Sequence, residues 1–530
     1  MRSWEFLAPG GAPGLSEVSL TRVGRALTVD VRDLNEMGQG VGATPSGGPV
    51  VFVDGALPGE RVVARVRHVR KRLLVASLEE LLLPSEDRRT PECPVFGNCG
   101  GCTLLHMSYC GQLQWKRKMV QDALARIGGP LLGSCEVRDV LGMQQPFGYR
   151  CKVRLAAANA DRAKHDRALR DIHGPELSPV GLGYYHRASH VVVPSASCQL
   201  EVPTLGLLRE ACGRLWRHLP RPRNGERGAD EHAVFRVGWS TGQVMVCLQG
   251  VEPERIDVPL WWNALAEAMD QAGAAAVLPT GVRARLVSLW ATGFSRPGAG
   301  RMLTFEHLAG EKHYEERLGA VRYLVSPGAF FQVNPSQATV LYEEVVKRVA
   351  MPEPATLLDL YCGAGAIGLY VASSLPGWRV LGVDEVSEAV RDARQNARQN
   401  AWQNAWQNAR QNASARQSST GCQFVTSDTE VWLRGYLAGA KGPHVAVVDP
   451  PRSGLSSTLV SLLVAAGRRR LLDKLIYVSC NPSTLSRDLK GLASVWKPGA
   501  VQPIDMFPWT SHVECVIALN LRSEERVPCA

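Results

Sequence analysis

The pattern of apolar and polar positions changes character twice along the chain. Between about residues 27 and 84, short β-branched runs (LTVDVRDL, VVFVD, ERVVARV, LLVASLEEL) alternate with polar residues and are interrupted by Gly and Pro. Such punctuation predicts a small β-barrel. A helical pattern follows at SYCGQLQWKRKMVQDALARI. From about 135 to 310, strand-like and helix-like runs mix without a fixed order, which predicts an α+β segment. Within it, NADRAKHDRALRDIHGPELSP and RPRNGERGADEH read as charged loops. From about 355 the rhythm becomes regular. TLLDLY reads as a buried strand, CGAGAIG as a loop and LYVASSL as a helix. WRVLGVD, CQFVTSD, HVAVVDPP and KLIYVSC repeat the alternation, and HVECVIALNL reads as a last strand. Strands alternating with helices predict a doubly wound, Rossmann-like α/β sheet. The chain therefore divides into a tail (1–26), a barrel (27–84), a central α+β domain (85–320) and a terminal α/β domain (321–530).

One stretch is repetitive. Residues 393–412 read ARQN ARQN AWQN AWQN ARQN. A period of four advances ~40° per repeat around a helix, and Ala, Arg and Gln are good helix formers. A lengthened polar helix, inserted over 393–413 on the surface, is expected; a Gln/Asn-rich interaction tract is the alternative.

Composition narrows the class. With 45% hydrophobic and 21% charged residues the chain can bury large cores, and its 530 residues allow three or four domains. No apolar run reaches the ~18 residues of a membrane span, and the N-terminus lacks the apolar stretch of a secretory signal. Fourteen Cys are too sparse for a disulfide scaffold and fit free thiols, ligands or a nucleophile in a reducing cytoplasm. The net charge of +10 permits a polyanionic partner without requiring one. Six cations, Arg61, Arg65, Arg67, Arg70, Lys71 and Arg72, fall on the later barrel strands with no acid between them. They form either a solvated face or a phosphate-tracking surface.

Five motifs carry chemistry. In Asp359-Leu-Tyr-Cys-Gly363-Ala-Gly365-Ala-Ile-Gly368 the glycines let a ligand approach the backbone at a strand end, and Asp384 closes the next strand, where an acid can accept from ribose hydroxyls. The phosphate-cradling G-x-x-x-x-G-K-[ST] pattern is missing. The arrangement suits S-adenosylmethionine, and the glycine spacing fits NAD poorly. Asp449-Pro-Pro-Arg follows the HVAVV strand, its prolines stiffening the turn. Ser479-Cys480-Asn-Pro follows KLIYV and precedes a helix start, a setting that favours the thiolate. His512 and Glu514 lie two apart in the last strand and are expected on one face, with a general base at the pocket rim. Cys93-x5-Cys99-Gly-Gly-Cys102 reads as a metal or cluster clasp for zinc or Fe–S, with Cys110, Cys135, Cys151 and Cys198 as candidate fourth ligands.

Taken together and in this order, these motifs resemble the RNA uracil-C5 methyltransferases, in particular the 23S rRNA branch that carries a TRAM domain and an iron–sulfur cluster. The resemblance runs from about residue 27 to 522. It implies a class I methyltransferase domain behind an OB-like TRAM barrel and a central domain holding a [4Fe-4S] cluster on Cys93, Cys99, Cys102 and Cys198. It implies Cys480 as nucleophile and Glu514 as proton acceptor. Gln332 (in SPGAFFQVNPSQ), Tyr361, Gly363, Gly365, Asp384, Asp428 and Asp449 would hold S-adenosylmethionine. RNA is the implied partner, 23S rRNA first and tRNA second, for a monomeric cytoplasmic enzyme with no membrane association. Phe330 and Phe331 are candidates for stacking on bases or for core packing. Ala366, Cys151 and Leu105 depart from the family's pattern, and none removes a catalytic group. The competing readings are a cytosine-C5 or amino-group methyltransferase and a non-catalytic RNA-binding iron–sulfur protein. Cys480 argues against the amino-group chemistry, whose motif needs no thiol.

Overall fold

The computed structural model describes residues 22–45, 47–70, 73–157, 181–187, 189–220, 231–294, 303–411, 421–440 and 444–522. The tail before residue 22, the charged stretches 159–179 and 221–230, Lys71, Arg72 and the end of the repeats at 412–413 lie outside them. The chain forms two compact units. One holds the residues up to Glu92 together with Cys102–Trp115 and Trp509–Ser511; the other holds the remainder.

The first unit is built on a closed barrel of β1 (Ala26–Leu34), β2 (Gly40–Ala43), β3 (Val50–Asp54), β4 (Arg61–Arg70) and β5 (Leu73–Leu83), in the order β1-β2-β3-β5-β4. Strict alternation puts Val29, Val31, Val51, Val53, Val62, Ala64 and Val66 inside. Closing the barrel also changes the basic run. Although no acid separates these cations in sequence, neighbouring strands supply two: Arg61 pairs with Asp30 at 2.6 Å and Arg65 with Glu79. Arg67, His68 and Arg70 stay exposed.

The second unit contains two large sheets. β6 (Lys152–Ala157), β7 (Leu182–Tyr185), β8 (Val192–Pro194), β9 (His232–Val237), β10 (Gln243–Gln249), β11 (Arg285–Phe294) and β12 (Leu303–Gly310) form a seven-stranded sheet, ordered β12-β11-β10-β9-β6-β7-β8. Its core includes residues of the helices Pro203–Trp216 and Val258–Gln271, such as Leu205, Trp216, Trp261 and Leu265. A hairpin of β13 (Tyr314–Leu318) and β14 (Val321–Val325) follows.

The terminal sheet uses β15 (Thr356–Leu360), β16 (Arg379–Asp384), β17 (Cys422–Thr426), β18 (His444–Val448), β19 (Leu472–Ser479), β20 (Trp496–Pro498), β21 (Gln502–Ile504) and β22 (Glu514–Leu521). The order is β17-β16-β15-β18-β19-β22-β20, with β21 also on β22. The first five strands are parallel and β22 runs antiparallel to β19. Val445 and Val447 face one core while Ala446 and Val448 face another. Burial on both faces is why HVAVV is apolar without alternation. The repeats extend one helix, Ser387–Gln411. Its first repeats are not a surface insertion, because Ala393, Asn396 and Ala397 are buried. Among the described residues, no helix is long and apolar enough to cross a membrane.

Lys116 and Asp505 make a wholly buried ion pair, Nζ to Oδ1 at 2.6 Å, and Lys116 also donates to the Phe507 carbonyl at 3.2 Å. Burial lowers the lysine's pKa and Asp505 opposes the shift. Removing one partner strands a buried charge, so Lys116→Met is expected to destabilise the protein by about 3–5 kcal/mol, with most of that recovered in Lys116→Met/Asp505→Leu. Thermal and urea unfolding check this, and a double variant no more stable than the single one contradicts it.

Candidate active site

Strand order decides where the site forms. From β15 the chain runs outward to β16 and β17, then returns to the other side of β15 as β18 and continues to β19. At such a reversal the connections leave β15 and β18 in opposite directions and open a crevice at the carboxyl ends of the strands. Asp359, Asp384, Asp449 and Cys480 stand at or just after the carboxyl ends of β15, β16, β18 and β19.

On the donor side, Asp359 is buried near the end of β15, and its Oδ2 accepts from Gly368 N at 2.9 Å, pinning the loop to the first turn of the helix Ala366–Ser374. A Cβ on Gly368 would stand 2.7 Å from that same oxygen, so the glycine is needed for the approach. Burial pushes the Asp359 carboxyl up to about 7; the Gly368 N–H opposes this, and Asp449 and Asp384 add to it. Gly365, at φ +77, would carry a Cβ 2.9 Å from the Phe424 ring. Tyr361 adopts φ 66, the left-handed conformation that a side chain rarely takes. Burial and the acids Glu430 and Asp428 push its phenol up to about 12. Asp384, half-buried, accepts from Gly363 N and Val386 N, both at 2.9 Å. A carboxylate has about four acceptor positions, so capacity remains for a ribose. Nothing lies within 4 Å of where a Gly363 Cβ would stand. Open space at the loop beside a fixed acid fits S-adenosylmethionine. Asp428 is exposed and caps the helix Thr429–Gly439 by accepting from Val431 N at 2.9 Å. Gln332 lies half-buried on the loop between β14 and the helix Pro335–Val349. Of its neighbours, Phe331 is core, tilted against Tyr323 at 5.4 Å, whereas Phe330 is 65% exposed.

The reactive side joins β18, β19 and β22. Ser479 is in register with Cys515, so antiparallel β22 begins where β19 ends and brings Glu514 beside Cys480. Asn481 caps the helix Pro482–Leu492 by accepting from Ser483 N at 3.0 Å, and its Nδ2 donates to the Arg452 carbonyl at 3.2 Å. Asp488 Oδ2 accepts from Leu455 N and Tyr477 Oη, each at 2.7 Å, which braces the Asp449–Leu455 turn against this helix. The expected thiolate does not follow. Burial, then Glu514 and Asp449, push the Cys480 thiol up to about 11 against the opposing charge of Arg452. Three acidic groups crowd one low-dielectric spot, and this outweighs the helix N-terminus. Burial also raises Asp449 to about 7, and burial together with Asp449 holds Glu514 well above the carboxylate range. His512 precedes the strand, is exposed, and meets Arg452 at 3.4 Å. Arg452 is a charge-setting residue that the sequence reading passed over, although it stands inside the Asp449-Pro-Pro-Arg motif.

The cysteine clasp comes out differently. Cys93, Cys99, Cys102 and Cys198 are all partly buried, and none is in a disulfide. Among the described residues, no three His, Cys, Asp or Glu side chains converge as a metal-ligating group. Cys99 and Cys198 instead both neighbour the Arg150 and Arg209 guanidinium groups. Burial and Glu201 push the Cys198 thiol up to about 11.

The sheet order and the phosphate-free glycine loop define an S-adenosylmethionine-dependent methyltransferase. Comparison with known proteins makes the class specific: the chain belongs to the tRNA (uracil-5-)-methyltransferase family, which it matches over residues 306–522, and it carries a TRAM domain over residues 20–78. An RNA methyltransferase of Halalkalibacterium halodurans is 31% identical over 500 residues, covering 94% of this chain and 96% of its own. One from Bacillus anthracis is 31% identical over 509 residues, covering 95% and 98%. The solved structure of Pyrococcus abyssi tRNA (uracil-54, C5)-methyltransferase in complex with S-adenosyl-L-homocysteine is similar with a TM-score of 0.65 and 26% identity, covering 93% of this chain and 99% of that one. The chain is thus an RNA methyltransferase that uses S-adenosylmethionine, as the resemblance implies.

A thiol held near 11 is protonated at neutral pH. Iodoacetamide alkylation of Cys480, followed by peptide mass mapping, should climb about tenfold per pH unit from 7 to 10. Arg452→Ala removes the cation that favours the thiolate and should slow alkylation at pH 8, whereas Asp449→Asn should speed it. A plateau reached by pH 8 in the wild type contradicts this electrostatic account.

Proposed function

We propose that the chain methylates carbon 5 of a uridine in RNA through a transient bond between Cys480 Sγ and carbon 6 of the base. The observation that carries this reading is the juxtaposition of Cys480 with buried Glu514 across β19 and β22, beside the donor loop. Carbon 5 of uracil is too weak a nucleophile to take a methyl group unaided. The Cys480 thiol gives up its proton to solvent, addition of the thiolate to carbon 6 turns the base into an enolate, and the electron pair then at carbon 5 bonds to the methyl group as the methyl–sulfonium bond breaks, its electrons staying on the departing S-adenosylhomocysteine. S-adenosylmethionine supplies an electrophilic methyl on a sulfonium. Glu514 then accepts the carbon 5 proton, the carbon 5–carbon 6 double bond re-forms, and Cys480 leaves as the thiolate. The raised pKa of Glu514 makes its ionised form a stronger base for that step.

In this proposal Gln332, Tyr361, Gly363, Gly365, Asp384, Asp428 and Asp449 surround the donor. Arg452 offsets the negative charge that develops at Cys480. The base must leave its stack to reach the thiol, and exposed Phe330 beside Gln332 offers it an aromatic face. We place the enzyme in the cytoplasm as a monomer. 23S rRNA is the substrate put first, on the resemblance of the TRAM barrel and the cysteine motif to that branch. tRNA is the second reading, favoured by the likeness to the Pyrococcus abyssi enzyme. A [4Fe-4S] cluster on Cys93, Cys99, Cys102 and Cys198 also belongs to the proposal. The spacing of Cys93, Cys99 and Cys102 and, for Cys198, the family resemblance support it, and no step of the reaction uses it.

Labelled S-adenosylmethionine with unmodified 23S rRNA, tRNA and cytosine-only RNA tests the reaction. Wild type should label uridine at carbon 5, and rRNA above tRNA. Cys480→Ala should transfer nothing. Glu514→Gln should accumulate an RNA–protein adduct that survives denaturant, because elimination needs the proton acceptor. Transfer by Cys480→Ala at the wild-type rate overturns the covalent route. For the cluster, anaerobically purified protein should contain iron and sulfide; stoichiometric zinc without iron excludes it.

A further inference from the structure

Three side chains on the helix Ser387–Gln411 face inward along one strand. Asp392, Asn396 and Asn400 stand four residues apart, the first two 3% and 0% exposed. Ser326 N donates to Asp392 Oδ2 at 2.9 Å, Leu324 N to Asn396 Oδ1 at 2.7 Å and Arg322 N to Asn400 Oδ1 at 2.9 Å. In return, Asn396 Nδ2 donates to the Leu324 carbonyl at 3.2 Å and Asn400 Nδ2 to the Arg322 carbonyl at 2.8 Å. A carboxamide carries both a donor and an acceptor, so each Asn meets one residue of the strand as a facing strand's peptide group would. The spacings match: four helical residues rise ~6.0 Å and two strand residues ~6.6 Å. β14 pairs with β13 on its other edge, so the helix satisfies a strand edge that would otherwise lack partners. Because each repeat drifts ~40°, a straight helix can offer only about three such rungs to one strand.

Asn396 reaches further than its neighbours. Its Nδ2 also donates to the Ala364 carbonyl at 3.4 Å, within the loop that follows β15. Ala393 and Ala397 are buried on the same side, and a Gly365 Cβ would stand 3.2 Å from that of Ala393, so only small residues let the helix come this close. β14 leads directly into the loop that bears Gln332. Buried Arg236 holds that loop through the Pro327 and Ala329 carbonyls, at 2.8 and 2.7 Å. Little slack is left to absorb a shift of β14.

We propose that Asn396 is a positioning residue that sets the spacing between the two walls of the donor site, the Tyr361–Gly368 loop and the Gln332 loop, while Asn400 registers the strand alone. The inference rests on the reading that these two loops hold S-adenosylmethionine. Asn396→Ala and Asn400→Ala each remove a rung, so hydrogen exchange should speed up at Leu324 N–H in the first and at Arg322 N–H in the second, with similar falls in melting temperature. Only Asn396→Ala should weaken S-adenosylhomocysteine binding by calorimetry, roughly tenfold against less than about twofold for Asn400→Ala, with RNA affinity unchanged in both. Asn396→Asp keeps the acceptor for Leu324 N but loses the donor to the Ala364 and Leu324 carbonyls. It should show the same binding loss with Leu324 still protected, and it serves if the alanine variant does not fold. Wild-type S-adenosylhomocysteine affinity in Asn396→Ala and Asn396→Asp, or an equal loss in Asn400→Ala, overturns the proposal. Asp384→Ala separates the two levels. If it binds S-adenosylhomocysteine as wild type does, the donor-site reading falls and this inference with it. If Asp384→Ala weakens binding and the Asn396 variants do not, only this inference falls.

Discussion

Parallel pairing of β15, β16, β18 and β19 is the constraint on which the site depends. Parallel strands all end at one edge, so residues far apart in sequence are delivered together without any one loop having to reach. The reversal of strand order between β15 and β18 then leaves room at that edge for a ligand. Antiparallel β22 adds what parallel strands cannot: it brings in its amino-terminal residue, and so sets Glu514 against Cys480.

Gathering acids in this way has an electrostatic consequence. Asp359, Asp449, Glu514 and the Cys480 thiol all titrate above their ordinary values, each chiefly because of burial. In the proposed reaction, a site that holds its protons would keep the nucleophile quiet until a substrate enters, and a carboxylate with a raised pKa would better match a carbon acid. Arg452 works against both shifts, so one exposed side chain tunes how readily the site ionises. The same economy of contacts appears on the donor side, where Asp359 and Asp384 spend acceptor positions on backbone N–H groups and thereby fix the loop's shape.

The central α+β sheet and the repeat helix bear on the site from outside it. Arg236 on β9 holds the loop that carries Gln332, and Asn396 ties β14 to the loop after β15. These contacts rest on single side chains placed by packing rather than on a motif. The cysteine motif is the converse case: its spacing is distinctive, yet among the described residues no three His, Cys, Asp or Glu side chains form a metal-ligating group.

Much of this was legible without coordinates. Alternation wrote the barrel strands, unbroken apolar runs wrote the buried parallel ones, and the glycine loop, Asp449-Pro-Pro-Arg and Ser479-Cys480-Asn-Pro stood at strand ends where ligands bind. The family followed from their order. Local pattern could not supply what depends on neighbours across the fold. The basic run reads as unopposed until β1 and β5 bring Asp30 and Glu79 beside it. Cys480 reads as a thiolate until Glu514 and Asp449 close in. Asn396 reads as one letter of a polar repeat until β14 presents its bare edge. Periodicity along a chain reports which face a residue takes; charge state and partnership depend on what is packed against that face, and only the tertiary structure decides that.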